Sequence, residues 1–201
     1  MSVVLNWTAF EWTAAVLTAI SVYLAAKEHI WNWPTAIVSV AMYTVVYLHS
    51  GFYSDAVLQV VYFVLSIYGW YEWLHGGAGH TELRVSRATR RVWLWCAVIG
   101  IAFWWLDASV ARRFNGVAFP YIDAATTTVS LIAQWMMTRK ILENWVLWIA
   151  VNLVYVPMLF IKHLVPTAIL YTVLLLLAVK GLVDWNKSYR SAPEVREPVA
   201  A

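Results

Sequence analysis

Four side chains in the segment 144–155 have types and spacings that could bind a small polar molecule. Trp148, Asn152 and Tyr155 follow one another at i, i+4 and i+7, which places them on one face of a helix. Trp145 joins the same stripe three positions earlier. An indole face can hold a cation, and an amide can hydrogen-bond to neutral polar groups. The alternative is structural, because Trp also gathers at membrane interfaces and Asn also links helices.

Two further stripes carry polar side chains in apolar surroundings. Gln59 and Tyr62 share one helix face at i, i+3. Asp123, Thr127 and Gln134 lie on one stripe of another segment, where the second and third follow the first at +4 and +11. These stripes are candidates for the other walls of a binding site.

Polar groups inside a membrane are costly unless they face a partner or a water-filled path. Asn152, Gln59 and Gln134 therefore become candidate ligand contacts by default. The competing interpretation is hydrogen bonding between helices, which Asn, Gln, Ser and Thr also provide. That interpretation carries at least equal weight for two neighbouring hydroxyls, Thr126 and Ser130.

The composition is that of a chain that lies largely in a lipid bilayer. Of its 201 residues, 62% are hydrophobic and 12% are charged, whereas a soluble domain has roughly 25% charged residues. The mean hydropathy of +0.66 agrees with this. The net charge of +3 follows from loop residues that set membrane orientation, so it does not indicate nucleic-acid binding.

No motif in the sequence indicates a cofactor, a metal ion or ATP hydrolysis. The five histidines show no metal-ligand spacing, and no Walker-type phosphate-binding loop occurs. The only catalytic residue types found together are His75 and His80 with Glu72 and Glu82, in a glycine-rich segment without a supporting motif. A membrane-embedded enzyme or assembly factor is therefore the minor alternative, and we expect no enzymatic activity and no cofactor.

Seven segments are apolar and long enough to cross a membrane, for which about 20 residues are needed. We predict them at 9–26, 34–49, 55–74, 92–111, 120–138, 144–161 and 165–183. The predicted organisation is a first repeat at 1–74, a cytoplasmic loop at 75–91, a linker helix and outer loop at 92–118, a second repeat at 119–185 and a polar, disordered cytoplasmic tail at 186–201.

Lys and Arg predict the orientation, because cytoplasmic loops are enriched in both. With the N-terminus outside, eleven of the 14 Lys and Arg residues fall on the inner side. The outer side then holds Arg112, Arg113 and Lys162. We therefore predict an N-terminus outside and a C-terminus in the cytoplasm.

The sequence contains an internal repeat with an offset of 112 positions. Residues 11–73 align with 123–185 without a gap, and 11 of the 63 pairs are identical. The matches of rarer residue types carry the alignment, and they include Asn32-Trp33 with Asn144-Trp145, Tyr43 with Tyr155, Gly69 with Gly181 and Trp73 with Trp185.

Each repeat holds three predicted spans, and one span lies between the repeats, so both repeats point the same way through the membrane. Such a parallel repeat has a pseudo-two-fold axis along the membrane normal and a substrate site near the midplane between its halves. The sequence therefore predicts an all-α membrane protein with seven transmembrane helices in a 3+1+3 arrangement. The repeats are not equivalent, because Trp148 and Asn152 align with Ala36 and Val40.

Two runs of residues carry a resemblance to a known family. FPYIDAATTTVSLIAQWMMTRKILENWVLW at 119–148 combines an aspartate after Phe-Pro-aromatic, a Thr/Ser-rich helix, a basic pair and Glu-Asn-Trp-x-x-Trp. FYSDAVLQVVYFVLSIYGWYEW at 52–73 contains Leu-Gln and Tyr-Gly-Trp-Tyr-x-Trp. The 3+1+3 order resembles the SWEET sugar carriers, and the two runs resemble, more closely, the PnuC-type vitamin transporters. The resemblance extends to about Trp185.

The resemblance implies uptake of nicotinamide riboside, an NAD precursor, by facilitated diffusion across a bacterial inner membrane. It also implies a homotrimer and a cytoplasmic kinase that phosphorylates the substrate and traps it. Trp145 and Trp148 match the Trp-x-x-Trp pair of the nicotinamide riboside branch. Related transporters carry riboflavin or thiamine, and thiamine, which also has a cationic ring, is the foremost alternative substrate.

Nicotinamide riboside has a cationic pyridinium ring, an amide and ribose hydroxyls, and the candidate residues suit these groups. A Trp face attracts the cation, and neutral side chains can bond the amide and hydroxyls. The absence of an acidic relay through the predicted spans agrees with facilitated diffusion. We predict a substrate site that comprises Gln59, Tyr62, Asp123, Thr127, Gln134, Trp145, Trp148, Asn152 and Tyr155.

Overall fold

The structure, a computed structural model, describes residues 7–50, 53–111, 120–161 and 165–191. Within these ranges the chain forms seven α-helices and no β-sheet, so the predicted all-α class is confirmed. The helices are α1 (Trp7–Ala26), α2 (Asn32–His49), α3 (Tyr53–His75), α4 (Arg90–Ala111), α5 (Pro120–Thr138), α6 (Asn144–Ile161) and α7 (Val165–Ser191).

The helices begin at most two residues from the predicted starts, but α7 ends later than predicted. We expected a polar, disordered tail from residue 186, and this prediction is wrong as far as Ser191. After Pro166 in the first turn of α7 no proline follows until Pro193, and the Ser191 hydroxyl donates to the Lys187 carbonyl at 2.8 Å. Arg87 also lies over the Tyr189 ring, at 5.7 Å from its centroid. Residues 192–201 lie outside the described residues.

Five helices of the described chain are long and apolar enough to cross a membrane by length and composition: α1, α3, α4, α6 and α7. Seven such spans were predicted. Among the described helices, α2 and α5 fall short because of their polar side chains, and α5 carries Thr126, Thr127, Thr128, Ser130 and Gln134. Such groups suit a helix that faces other helices or a cavity better than one that faces lipid.

Six of the helices form a closed ring. In the first unit α1 packs against α2 and α2 against α3, and in the second unit α5, α6 and α7 follow the same order. The units meet where α1 contacts α7 and where α3 contacts α5. Small side chains allow close approach within a unit, and the Ser39 hydroxyl donates to the Ala14 carbonyl at 2.9 Å. Among the described helices α4 contacts α5, so it lies outside the ring.

Four buried indole side chains lie together at one end of the six-helix bundle. We call them the tryptophan cluster, which comprises Trp33, Trp73, Trp145 and Trp185. The Trp33 and Trp73 centroids are 5.3 Å apart at an interplanar angle of 86°. The Trp145 and Trp185 centroids are 5.4 Å apart at 88°. The positions in the two pairs differ by the repeat offset of 112, and the two edge-to-face pairs have the same geometry. Edge-to-face contacts of this kind are the favoured arrangement of aromatic rings.

Two glycines give these rings their space. The Trp33 ring lies against Gly69, and the Trp145 ring lies against Gly181. A Cβ atom on Gly181 would lie 2.5 Å from Trp145 Cε2, which is closer than real Cβ contacts. These positions therefore require glycine for close approach rather than for its backbone freedom.

The two units are joined near the tryptophan cluster by indole hydrogen bonds that the repeat relates. Trp73 Nε1 donates to the Met137 carbonyl at 3.1 Å, and Trp185 Nε1 donates to the Ala25 carbonyl at 2.9 Å. Both the donors and the acceptors differ by 112 positions. Each bond therefore has an equivalent in the other unit.

Ion pairs follow the same pattern at the same end. Arg139 pairs with Glu72 at 3.0 Å, and Lys27 pairs with Asp184 at 3.3 Å. These pairs also differ by 112 positions and join one unit to the other. A third pair, Lys140–Glu28 at 3.1 Å, joins two positions that the repeat itself relates.

Candidate functional site

A cavity of about 520 Å³ runs along the axis of the helix ring. All six ring helices line it, and no described residue of α4 does. The volume lies within the range of about 300–1,000 Å³ that is typical of sites for small ligands. The cavity lies where the polar faces of α2 and α5 can be covered by other helices instead of lipid.

Eight of the nine predicted site residues line this cavity. They come from three helices, α3, α5 and α6, and they are Gln59, Tyr62, Thr127, Gln134, Trp145, Trp148, Asn152 and Tyr155. The ninth, Asp123, is exposed and is not among the cavity-lining residues. It lies one turn before Thr127, near the start of α5, where a carboxylate can stay hydrated.

The stripe on α6 forms one wall of the cavity. Asn152 is buried, and its Nδ2 donates to the Trp148 carbonyl at 2.8 Å. This is the only side-chain hydrogen bond of Asn152 within the described chain. Its Oδ1 therefore has lone pairs that can accept a donor from a bound molecule. The half-buried Trp148 lies one turn away and also lines the cavity.

Trp145 has a different environment from Trp148. Its indole is 1% exposed, belongs to the tryptophan cluster and lies at the end of the cavity. Its Nε1 is buried and has no partner among the described residues. Trp33 has the same features in the first unit. Both indoles line the cavity where the tryptophan cluster begins, and we call this part of the cavity the tryptophan end.

A hydroxyl bond holds one of the lining tyrosines. The Tyr155 hydroxyl and the Thr126 hydroxyl are 3.0 Å apart and bond α6 to α5. Tyr62 on α3 and Ser130 on α5 both line the cavity. Thr126 thus bonds one helix to another, which is the structural one of its two interpretations.

Sequence reasoning missed several lining residues that the repeat could have identified. With the offset of 112, Trp145 corresponds to Trp33, Tyr155 to Tyr43 and Gln59 to Tyr171, and all three partners line the cavity. Two further lining residues, Tyr47 and Ser66, have no such signal, because their equivalents are Leu159 and Ala178.

The charged residues that line the cavity in the described chain are both acidic. Glu11 on α1 and Asp55 on α3 are exposed and lie near the starts of their helices. Neither has an ion-pair partner within the described residues. We call this the acidic end of the cavity, and it lies opposite the tryptophan end. A cavity with two carboxylates and no described basic residue favours a cationic ligand over an anionic one.

Comparison with known proteins places the chain among transporters. Residues 8–187 match the model of a family described as nicotinamide mononucleotide transporter. The chain is 27% identical to the nicotinamide riboside transporter PnuC of Escherichia coli (strain K12), over 92% of this chain and 87% of that protein. It is 25% identical to the riboflavin/roseoflavin transporter RibM of Streptomyces davaonensis, over 92% of this chain and 89% of that protein.

The fold is also similar to a solved structure. The crystal structure of the vitamin B3 transporter PnuC matches with a TM-score of 0.71 and 25% sequence identity. The match covers 91% of this chain and 83% of the other. The similarity therefore extends over nearly the whole helix bundle.

Proposed function

The chain belongs to the nicotinamide mononucleotide transporter family, and from this premise we propose that it carries nicotinamide riboside across a bacterial inner membrane by facilitated diffusion. Relatives that carry the riboside and riboflavin are both similar to it, so membership of the family does not by itself select the substrate. The chemistry of the cavity supports the riboside.

The observation that carries the proposal is the composition of the cavity. Its aromatic faces and its acidic charges suit a pyridinium ring, because an indole face stabilises a cation by roughly 0.5–2 kcal/mol. Neutral side chains with hydrogen-bonding capacity, Gln59, Gln134 and Asn152, suit a carboxamide and ribose hydroxyls. Riboflavin has a neutral ring, so the acidic end would contribute nothing to its binding.

We propose that all seven helices cross the membrane in a 3+1+3 parallel repeat, with the predicted boundaries at 1–74, 75–91, 92–118 and 119–185. The paired tryptophan contacts, indole hydrogen bonds and ion pairs at an offset of 112 support two equivalent three-helix units. A single linker helix, α4, then gives both units the same direction. The polar α2 and α5 can cross because the other helices and the cavity cover them.

We propose the orientation with the N-terminus outside. Lys27, Arg139 and Lys140, which the positive-inside rule places in the cytoplasm, lie next to the tryptophan cluster in ion pairs. The acidic end would then face the outside, and the tryptophan end would close the inner side. Substrate would enter past Glu11 and Asp55 and leave after the tryptophan end opens.

The transport mode and the partners complete the proposal. Both acidic lining residues lie at one end, which supports facilitated diffusion rather than a proton relay through the described cavity. A cytoplasmic kinase would trap the substrate by phosphorylation. Large apolar residues of α4, including Trp95 and Trp105, are exposed and are available to lipid or to neighbouring subunits of a homotrimer.

Binding measurements on purified protein test the substrate and the site together. Titration calorimetry should detect nicotinamide riboside, and thiamine or riboflavin at the same concentration should compete weakly. Trp148→Ala and Asn152→Ala should abolish binding while thermal unfolding and elution volume stay close to wild type. Leu153→Ala, an exposed position on the same helix, is the matched control. If both site variants bind nicotinamide riboside as tightly as wild type, the site assignment is wrong. If thiamine or riboflavin binds more tightly than nicotinamide riboside, the proposed substrate is wrong.

A further inference from the structure

The cavity contains a second group of aromatic side chains apart from the α6 stripe. Tyr62 and Tyr155 were predicted as site residues, and three other tyrosines were not. We call the group the tyrosine cage, and it comprises Tyr43, Tyr47, Tyr62, Tyr155 and Tyr171. Its members come from α2, α3, α6 and α7, so they surround the cavity instead of covering one wall.

The tyrosine rings are close neighbours around one space. The rings of Tyr43 and Tyr47 are stacked, with centroids 5.8 Å apart. The rings of Tyr155 and Tyr171 are tilted, with centroids 5.3 Å apart. All five rings line the same cavity, so aromatic faces from four helices surround it.

One member of the cage is held by a hydroxyl bond to a neighbouring helix. The Tyr155 hydroxyl bonds the Thr126 hydroxyl on α5 at 3.0 Å, and the Tyr155 ring packs against Tyr171. Rings that are already held in place lose little freedom when a ligand binds between them. The cage is thus preorganised at Tyr155.

The carboxylates of the acidic end lie beside the cage. Glu11 and Asp55 lie near the starts of α1 and α3, and Tyr47 lies near the end of α2, which packs against both of these helices. No Lys, Arg or His lies among the described residues that line the cavity, so no described lining residue offsets the two negative charges. Aromatic faces combined with carboxylates are the chemistry that proteins use to hold organic cations.

The other part of the cavity has different chemistry. Trp148, Asn152 and Gln134 lie closer to the tryptophan end and supply an indole face and two neutral amides. No charged side chain lies beside them in the described lining. This part combines one indole face with groups that bond the amide and the ribose hydroxyls, whereas the tyrosine cage combines several aromatic faces with two carboxylates and suits the positive ring alone.

We propose that the tyrosine cage, with Glu11 and Asp55, is a separate binding site for a quaternised heteroaromatic cation, which a substrate occupies before it reaches Trp148 and Asn152. The proposal deepens the proposed function and rests on it, because the natural occupant would be the pyridinium ring of the transported riboside. Binding in the tyrosine cage requires the cationic ring but not the ribose. Binding beside Trp148 and Asn152 differs in this respect, because it also involves the ribose.

The probe that tests the proposal is 1-methylnicotinamide, which has the cationic ring and the amide but no ribose. Its affinity is measured on the purified full-length protein at low salt, next to that of nicotinamide riboside. Asp55→Asn should weaken binding of the probe about fivefold, and high salt should reduce this difference. Asp107→Asn, which removes an acidic charge from α4 outside the cavity, is the matched control and should leave the affinity unchanged.

A second pair of variants separates the aromatic face from the hydroxyl. Tyr171→Leu should weaken binding of the probe about fivefold to tenfold, because the cation loses a ring face. Tyr171→Phe keeps that face and should restore the affinity. Asn152→Ala should remove nicotinamide riboside binding and retain binding of the probe. Thermal unfolding of every variant shows whether it is folded.

Each outcome either supports or overturns the proposal. Loss of both ligands in Asn152→Ala would mean that there is one site, and it would overturn the separate cage. Equal affinities of wild type, Asp55→Asn and Tyr171→Leu for the probe would overturn it as well. If the wild-type protein binds the riboside but not the probe, the cage proposal is wrong and the proposed function stands. If the wild-type protein binds the probe through Asp55 and Tyr171 but does not bind the riboside, the cage proposal stands and the proposed function is wrong.

Discussion

The two ends of the cavity differ in how the helices are held together. At the tryptophan end, indole hydrogen bonds and ion pairs join the two units, and each has an equivalent at an offset of 112. At the acidic end, Glu11 and Asp55 are exposed and have no ion-pair partner within the described chain. The contrast indicates that contacts between the units hold the tryptophan end together, whereas the charges of the acidic end favour a positively charged molecule.

The paired contacts also explain how the tryptophan end can be stable and still open. Exposed or half-exposed ion pairs contribute about 0–1 kcal/mol each, so none of them is decisive alone. The rings, which fit against glycines, contribute more through burial and shape. Substitutions should therefore have large effects at the glycines, smaller effects at the indole bonds and the carboxylates, and the smallest at the ion pairs.

The largest effect is expected for Gly181→Ala. The new Cβ atom would overlap the Trp145 ring, and overpacking of this kind costs about 1–3 kcal/mol. Gly69→Ala should have a similar effect through Trp33. Gly100→Ala is the matched control, because its Cβ atom would meet the flexible end of Ile132 at 3.0 Å. Thermal unfolding in detergent measures the stability of all three variants. Equal stability of Gly181→Ala and Gly100→Ala would disprove the close fit of the Trp145 ring against Gly181.

A smaller loss of stability is expected for Trp185→Phe. The variant removes the indole donor to the Ala25 carbonyl, which keeps its bond from the Glu28 N–H, so the lost bond costs about 0.5–1.5 kcal/mol, and the variant also leaves a small void. Trp73→Phe should lose a similar amount because the repeat relates the two bonds. Trp95→Phe, at an exposed position of α4, is the control for the change of ring size. A large difference between Trp73→Phe and Trp185→Phe would show that the two bonds are not equivalent.

The acidic end should discriminate against a phosphorylated substrate. Nicotinamide mononucleotide carries a phosphate that Glu11 and Asp55 repel, and no described lining residue offers it a positive charge. Wild-type protein should therefore bind the riboside at least about tenfold tighter than the mononucleotide. The double variant Glu11→Gln/Asp55→Asn should lower the ratio of the riboside affinity to the mononucleotide affinity in competition titrations at low salt. A wild-type protein that binds both equally would mean that the carboxylates do not select against phosphate.

The smallest effect is expected for single ion-pair variants. Lys27→Gln should change the unfolding free energy by about 0–1 kcal/mol, since Lys27 is largely exposed. Lys27→Gln/Arg139→Gln removes both equivalent pairs and should loosen the tryptophan end. A cysteine introduced at the buried Ala178, in a Cys96→Ser background, should then react faster with a membrane-impermeant thiol reagent applied from the inner side. Equal labelling of the single and double variants would contradict the pairing of the two contacts.

The sequence predicted the helices well because apolar length and proline positions determine where they begin and end. It missed the end of α7 because the polarity of residues 186–191 hides a helix that buried Trp185 anchors. Eight of the nine predicted residues line the cavity, and their role in binding stays a prediction. Asp123 was included because its spacing fits the stripe, but spacing along one helix does not show which residues of the stripe reach the cavity. Ser66 and Tyr47 depend on how separate helices meet, which no local pattern reports.

The central claim is that the cavity conducts nicotinamide riboside down its gradient, and uptake into sealed proteoliposomes tests it most directly. Labelled riboside is added outside vesicles that contain wild-type protein, Asn152→Ala or no protein, without and then with an imposed proton or sodium gradient. The membrane potential is held at zero throughout, because a potential alone would concentrate a cation. Vesicles with wild-type protein should take up riboside until its inner and outer concentrations are equal, whichever gradient is present. Vesicles with Asn152→Ala should take it up no faster than vesicles without protein. Accumulation above the outer concentration under an ion gradient, or uptake no faster than in empty vesicles, would contradict it.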